Sequence, residues 1–289
     1  MITIQNCFKL DFHMGCMVVR QGNVSTKIFL KEIDMLIIES TAVSITACLL
    51  NELVMANVKV IFCDKKRQPS FEMLPYYGAH NTSLRIREQI AWPDETKQMV
   101  WAAIVAEKIR KQAALLKSLG LDDHALLEQY AEETQMVSKN DFEGPAARVY
   151  FRALFGENFT RGRHAEDALN AALNYGYQVL LATFNREIAA KGYLTQLGLW
   201  HDSQLNPFNM GSDLMEPFRP LVDAAVVALW PEQFETTEKQ AILAVLDQGV
   251  MINHRKENVT NAIKIYVNSV FDALNEGDDT MIRFYENDK

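Results

Sequence analysis

Residues 65–83 read KKRQPSFEMLPYYGAHNTS, and the fold turns on how this stretch is taken. It holds Pro69, Pro75 and Gly78 and follows neither the two-residue period of a strand nor the 3.6-residue period of a helix, which marks a boundary. Before it the pattern is that of strands. CMVVRQGNVSTKIFLKEIDMLIIES, residues 16–40, alternates β-branched runs with turn residues, so Gln21-Gly22-Asn23 reads as a hairpin turn and Lys31 to Asp34 as a second break. TAVSITACLLNELVMANV, residues 41–58, has helical spacing, and VKVIFCD, residues 58–64, returns to a fully apolar strand. Beyond the boundary the period changes. SLRIREQIAW (83–92) and ETKQMVWAAIVAEKIRKQAALLKSLG (95–120) are helices parted at Pro93, the second ending at Gly120. Further helices are expected at 124–137, 143–155, 164–190, 213–229, 237–248 and 257–275. The fold class is therefore α+β: a β-rich domain with one helix over residues 1–78, and a larger all-α domain over 79–289.

The 289 residues are 48% hydrophobic and 23% charged, the composition of a packed globular protein with room for two cores. A net charge of -8 argues against a general nucleic-acid coat but leaves room for a local basic surface. Cys7, Cys16, Cys48 and Cys63 form no CxxC pair and read as buried thiols. With no apolar run long enough for a membrane span and no basic leader, the expected compartment is the cytoplasm. The phosphate loop GxxxxGK[ST], GxGxxG, HExxH and GxSxG are all absent, which removes nucleotide hydrolysis, dinucleotide redox and activated-serine chemistry from consideration.

Polar residues interrupt the apolar helical pattern at three places. Glu143 opens a helix in NDFEGPAARVYFRALFGENF, His201 follows Gly198-Leu199-Trp200, and Glu216 lies early in a helix opening after Ser212 and Asp213. Each has a plain structural reading, as a helix-start acid or a packed histidine. Together, two carboxylates and one imidazole suit Mg²⁺ or Mn²⁺ better than structural zinc, and such an ion polarises a phosphodiester. The neighbouring RVYFRALFGENFTRGR places Arg148, Arg152, Arg161 and Arg163 against one acid, Glu157. That run is either a solvated helix end or a set of phosphate contacts.

EGPAARVYF (143–151), ALNAALNYGYQVLL (168–181) and GLWHDSQLNPFNMGSDLMEPFRPLVD (198–223) resemble, in order and spacing, the signature blocks of the CRISPR-associated integrase family, the Cas-one proteins. VIFCDKKRQPSFEMLPYYG (60–78) is similar to the segment closing that family's N-terminal domain, and the likeness runs from about residue 17 to 275, most like the form beside a type II-A effector. The resemblance implies an N-terminal β-sandwich, an all-α catalytic domain, and metal ligands at Glu143, His201 and Glu216. It implies Mg²⁺ or Mn²⁺ as cofactor. It further implies joining of a prespacer 3′-hydroxyl to the leader–repeat boundary by transesterification. The implied partners are double-stranded DNA, a second copy in a homodimer, the small Cas-two protein and other type II-A adaptation proteins. Arg219 is expected to pair with a carboxylate or a phosphate on the face it shares with Asp223, while Asn174, Tyr175 and Tyr177 read as packing. The opening MITIQNCFKLDFHM matches the family pattern poorly where an extra strand pair is expected. A stand-alone structure-selective nuclease and a non-catalytic DNA-positioning scaffold are the alternatives.

Overall fold

The computed structural model describes residues 2–6, 8–22, 24–33, 35–65, 67, 69–73, 81–136, 142–162 and 167–287. The chain divides into two compact units, Met1–His80 and Asn81–Lys289.

The first unit carries two four-stranded sheets. One is ordered β1 (Ile2–Ile4), β5 (Met35–Ile38), β7 (Lys59–Cys63), β8 (Pro69–Met73), and the other β4 (Val24–Phe29), β3 (Cys16–Gln21), β2 (Lys9–His13), β6 (Ser44–Ile45). Leu10 and Met17 from one sheet, Leu36, Ile38 and Val60 from the other, and Leu49 and Leu53 of helix α1 (Ala47–Met55) share one core. All four residues of β5 are buried, as expected of a central strand covered on both faces, and this explains the unbroken run MLII. The poorly matching N-terminus supplies β1, which pairs in parallel with β5, and β2. The boundary stretch begins as a strand. Pro69 heads β8, an edge strand antiparallel to β7, where a proline costs no ladder hydrogen bond in the sheet interior. Pro75 and Gly78 lie outside the described residues, as do Cys7, Asn23 and Asp34.

The second unit is mostly helical: α2 (Thr82–Ala91), α3 (Asp94–Ser118), α4 (His124–Met136), α5 (Glu143–Phe155), α6 (Ala168–Ala190), α7 (Asn209–Leu214), α8 (Arg219–Leu229), α9 (Thr236–Leu243) and α10 (Val259–Glu276). Helices α3 and α6 are the long buried members, against which α5, α7, α8 and a 3-10 turn at Glu216–Phe218 pack. Three expectations need correction. Cys16 and Cys63 are buried, but Cys48, on α1 of the first unit, is exposed. The single helix foreseen over 213–229 is split into α7, the Glu216 turn and α8, because Pro217 and Pro220 each lack an N–H to continue the ladder. Nor is the unit wholly helical. It includes a three-stranded sheet ordered β10 (Arg255–Asn258), β9 (Gly249–Ile252), β11 (Glu286–Asn287). The β9–β10 connection is Asn253-His254 with φ of 50° and 62°, a two-residue turn needing positive φ at both positions. Its signal was missed because the second residue is not glycine. Among the described residues no helix is long and apolar enough to cross a membrane.

Helices α6 and α8 meet closely at Gly176, where a Cβ would stand 2.4 Å from Val222 Cγ1 and 3.0 Å from Ile242 Cγ2. Gly176→Val is therefore expected to lower the unfolding free energy in urea by about 2–3 kcal/mol through overpacking. Unchanged or increased stability would show that the two helices are not in this contact.

Candidate active site

One buried ammonium organises the site. Lys108, on α3, is 5% exposed, and its Nζ lies 2.7 Å from Glu143 Oε1 and 2.5 Å from Glu216 Oε2. Glu143 stands in the first turn of α5 and Glu216 opens the 3-10 turn before α8, so a single side chain ties three elements together. Burial pulls the Lys108 pKa down, but the charges of Glu216 and Glu143 outweigh it and leave it raised. Burial likewise pushes Glu216 up, and Arg219 together with Lys108 more than reverses this, holding it below the ordinary value. Arg219 Nη2 sits 2.9 Å from Glu216 Oε1, so of the two expectations for Arg219 the carboxylate pairing is the one present. Tyr285 supports the turn from below by donating its hydroxyl to the Pro217 carbonyl at 3.2 Å.

His201 is held by a carboxylate that the sequence reading had passed over as part of a helix start. Asp213 is fully buried, and its Oδ1 lies 2.5 Å from His201 Nδ1. The same carboxylate accepts the backbone N–H of Leu199 at 2.6 Å, of Trp200 at 3.0 Å and of His201 at 3.2 Å. One acid thus fixes both the loop and the ring, which leaves Nε2 as the nitrogen for a ligand. Gly198 is required here, since a Cβ would meet the His201 carbonyl at 2.4 Å and Asp213 Oδ2 at 2.7 Å. The hydrogen bond to Asp213 raises the His201 pKa against the effect of burial, and Glu216 and Glu143 add to the rise, so the ring feels both carboxylates that Lys108 bridges. Trp101 of α3 meets the ring edge-on at 5.9 Å and stacks on half-exposed Trp200.

Behind this lies a second buried network. Tyr150 donates to Asp223 Oδ2 at 2.9 Å, and Tyr177 donates to Asp223 Oδ1. Arg219 and Arg161 both lie over the Tyr177 ring, at 4.9 and 5.1 Å from its centroid. Arg161 also donates to Asn170 Oδ1 at 2.9 Å and Asn174 Oδ1 at 2.8 Å. Asn174 and Tyr177, read from sequence as packing, are thus polar links in this network. The five arginines separate accordingly. Arg161 and Arg219 are engaged within the protein, and Arg148 and Arg152 are exposed on α5, Arg152 with Glu157 at 3.5 Å. Arg163 lies outside the described residues.

The donor set suits a hard divalent cation: two carboxylates and one imidazole anchored through its far nitrogen. Among the described residues no three His, Cys, Asp or Glu side chains converge as a ready-made metal cage. The positive charge on which the two glutamates converge is Lys108.

Solved structures share this architecture. A casposase bound to integration product superposes with a TM-score of 0.79 at 19% identity, covering 96% of this chain and 92% of that one. A CAS1 protein from Thermotoga maritima gives 0.77 at 15% identity, covering 94% and 96%. The fold is that of casposases and Cas1 proteins. The model of the CRISPR associated protein Cas1 family matches residues 4–254. A CRISPR-associated endonuclease Cas1 of Neisseria meningitidis is 35% identical over 274 residues, 93% of this chain and 90% of that protein. Another, from Pyrobaculum aerophilum, is 28% identical over 238 residues. The chain belongs to the Cas1 family.

Burial raises the Asp223 pKa from 3.8 to about 6, partly offset by Tyr177, Tyr150, Arg219 and Arg161. A raised folded-state pKa means that the acid's contribution to stability is complete below pH ~4 and lost as pH rises through about 6, a change on the order of 1–3 kcal/mol. Urea unfolding of wild type and Asp223→Asn is therefore expected to shift in the wild type's favour by that amount between pH 7 and pH 4. A difference that stays constant across this range would contradict the buried, raised Asp223.

Proposed function

We propose that this protein is a metal-dependent DNA integrase and endonuclease of CRISPR adaptation, which inserts prespacer DNA at a leader–repeat boundary. The observation that carries the reading is the gathering of Glu143 and Glu216 on Lys108, with His201 held beside them by Asp213. Family membership agrees with it, as do the names of relatives: endonucleases, a casposase bound to integration product, a TtCas1–DNA complex and a Cas6-RT-Cas1–Cas2 complex.

In the proposed reaction a 3′-hydroxyl of the incoming strand attacks a target phosphorus. One phosphodiester bond forms, the bond to the target's 3′-oxygen breaks, and that oxygen takes up a proton. No protein-bound intermediate is required. Glu143, His201 through Nε2, and Glu216 would hold Mg²⁺ or Mn²⁺, which supplies Lewis-acid polarisation of the phosphate and orientation of the hydroxyl. Asp213 keeps the imidazole in one orientation, so that no ordering cost falls on the bound complex. Arg219 holds Glu216 in place from the other side. Arg148 and Arg152, exposed on the helix that Glu143 opens, are available to pair with DNA phosphates. Water in place of the hydroxyl gives strand cleavage at the same site. The working form is proposed to be a cytoplasmic homodimer joined by the small Cas2 partner, with the strand-rich unit making the partner contacts. In a chain of net charge -8, the basic surface for DNA is proposed to be concentrated on the helical unit.

The test is strand transfer by the protein with its Cas2 partner, using labelled duplex with free 3′ ends and a supercoiled plasmid bearing leader and repeat. Joining is expected in Mn²⁺, absent in EDTA, and reduced about 100-fold or more in His201→Ala, at or beyond the upper end of the loss caused by removing an outer-shell partner. Joining that persists in EDTA or in the variant would overturn the assignment, and cutting without joining would replace integration with hydrolysis.

A further inference from the structure

We infer that Lys108 is a resident counter-ion which competes with the metal for the Glu143–Glu216 pair and so sets how tightly this protein takes up its cation. The inference rests on the metal site proposed above and concerns a residue outside it. Two carboxylates brought together in a largely dry interior repel each other and lose hydration, and they fold there only against a compensating charge. Here that charge is the protein's own. The Lys108 ammonium contacts one oxygen of each carboxylate, at 2.7 and 2.5 Å, from a helix in which Val100, Ile104, Val105, Ile109, Ala113 and Leu116 are buried around it. Arg219 takes the other Glu216 oxygen at 2.9 Å, so the carboxylate pair is already compensated before any ion arrives. A dication reaching the same oxygens must displace the ammonium from them and still meets its charge a few ångströms away. Like charge at that range weakens its binding by about tenfold or more even when heavily screened.

Two roles are therefore joined in one side chain: Lys108 holds the site assembled without metal, and it lowers the affinity of the assembled site for metal. A residue serving only as packing would do neither. A residue serving only as structure would stabilise the metal-free and metal-bound forms alike.

The experiment compares wild type, Lys108→Met and Lys108→Arg at pH 8, using Mn²⁺ alone as probe. Calorimetric titration gives the Mn²⁺ affinity, and thermal unfolding is followed with and without the ion. Lys108→Met is expected to melt several degrees lower without metal, to bind Mn²⁺ at least about tenfold tighter, and to gain more from Mn²⁺ in melting temperature than wild type does. Lys108→Arg, which keeps the charge, should restore the weaker binding. If Lys108→Met does not fold without metal, saturating Mn²⁺ is expected to recover the fold, and failure to do so overturns the proposal. Equal or weaker Mn²⁺ binding by a folded Lys108→Met also overturns it while leaving the metal site standing. Absence of Mn²⁺ binding by wild type would overturn both.

Discussion

Ion pairing between Lys108 and the two glutamates is the constraint on which the helical unit's interior depends. Without it, α3 would bury an ammonium, and α5 and the Glu216 turn would bring unpaired carboxylates to the same place. Each is a state costing several kcal/mol. With it, three elements distant in sequence have only one favourable arrangement. The hydrophobic surroundings of α3 give the pair its strength, because interactions that water would screen act there at low effective dielectric.

The same economy recurs one layer out. Asp213 accepts three backbone N–H groups and meets the imidazole, so the His201 loop needs no regular secondary structure to be rigid. Asp223 gathers Tyr150 and Tyr177, and the Tyr177 ring supports Arg219, which reaches back to Glu216. Polar groups on α5, α6 and α8 are thereby connected to the turn that presents Glu216. Gly176 permits the close approach of α6 and α8, the helices that carry Tyr177 and Asp223. A chain of mutually satisfied buried polar groups specifies one packing more sharply than an apolar contact of equal area.

Much of the architecture was legible because local periods are strong where burial is one-sided or complete. The break in period at residues 65–83 separated strand-rich from helical sequence, and Pro93 and Gly120 bounded α3. What escaped was short or unusual. The β9–β10 turn uses Asn253-His254 in place of glycine, and β11 has two residues. Of the site, Glu143, His201 and Glu216 stand out in the sequence as polar interruptions and through the family likeness; the structure pairs the two glutamates with Lys108 and holds His201 through Asp213. Lys108 left a signal that was not taken up: it continues the stripe Trp101, Ile104, Val105, Ile109 and Gln112 on α3, where a charge must be paired. Asp213 and Tyr177 left less, since an acid in a short helix and a tyrosine in an apolar one have commonplace explanations, and only tertiary contact distinguishes them.

The most direct measurement of the central claim is anomalous diffraction from crystals of the protein grown with Mn²⁺. The account predicts one manganese peak within about 2.0–2.3 Å of oxygens of Glu143 and Glu216 and of His201 Nε2, with Lys108 Nζ drawn away from both carboxylates. Manganese bound elsewhere, or a Lys108 ammonium still bridging Glu143 and Glu216 beside an ion that touches neither, would contradict it.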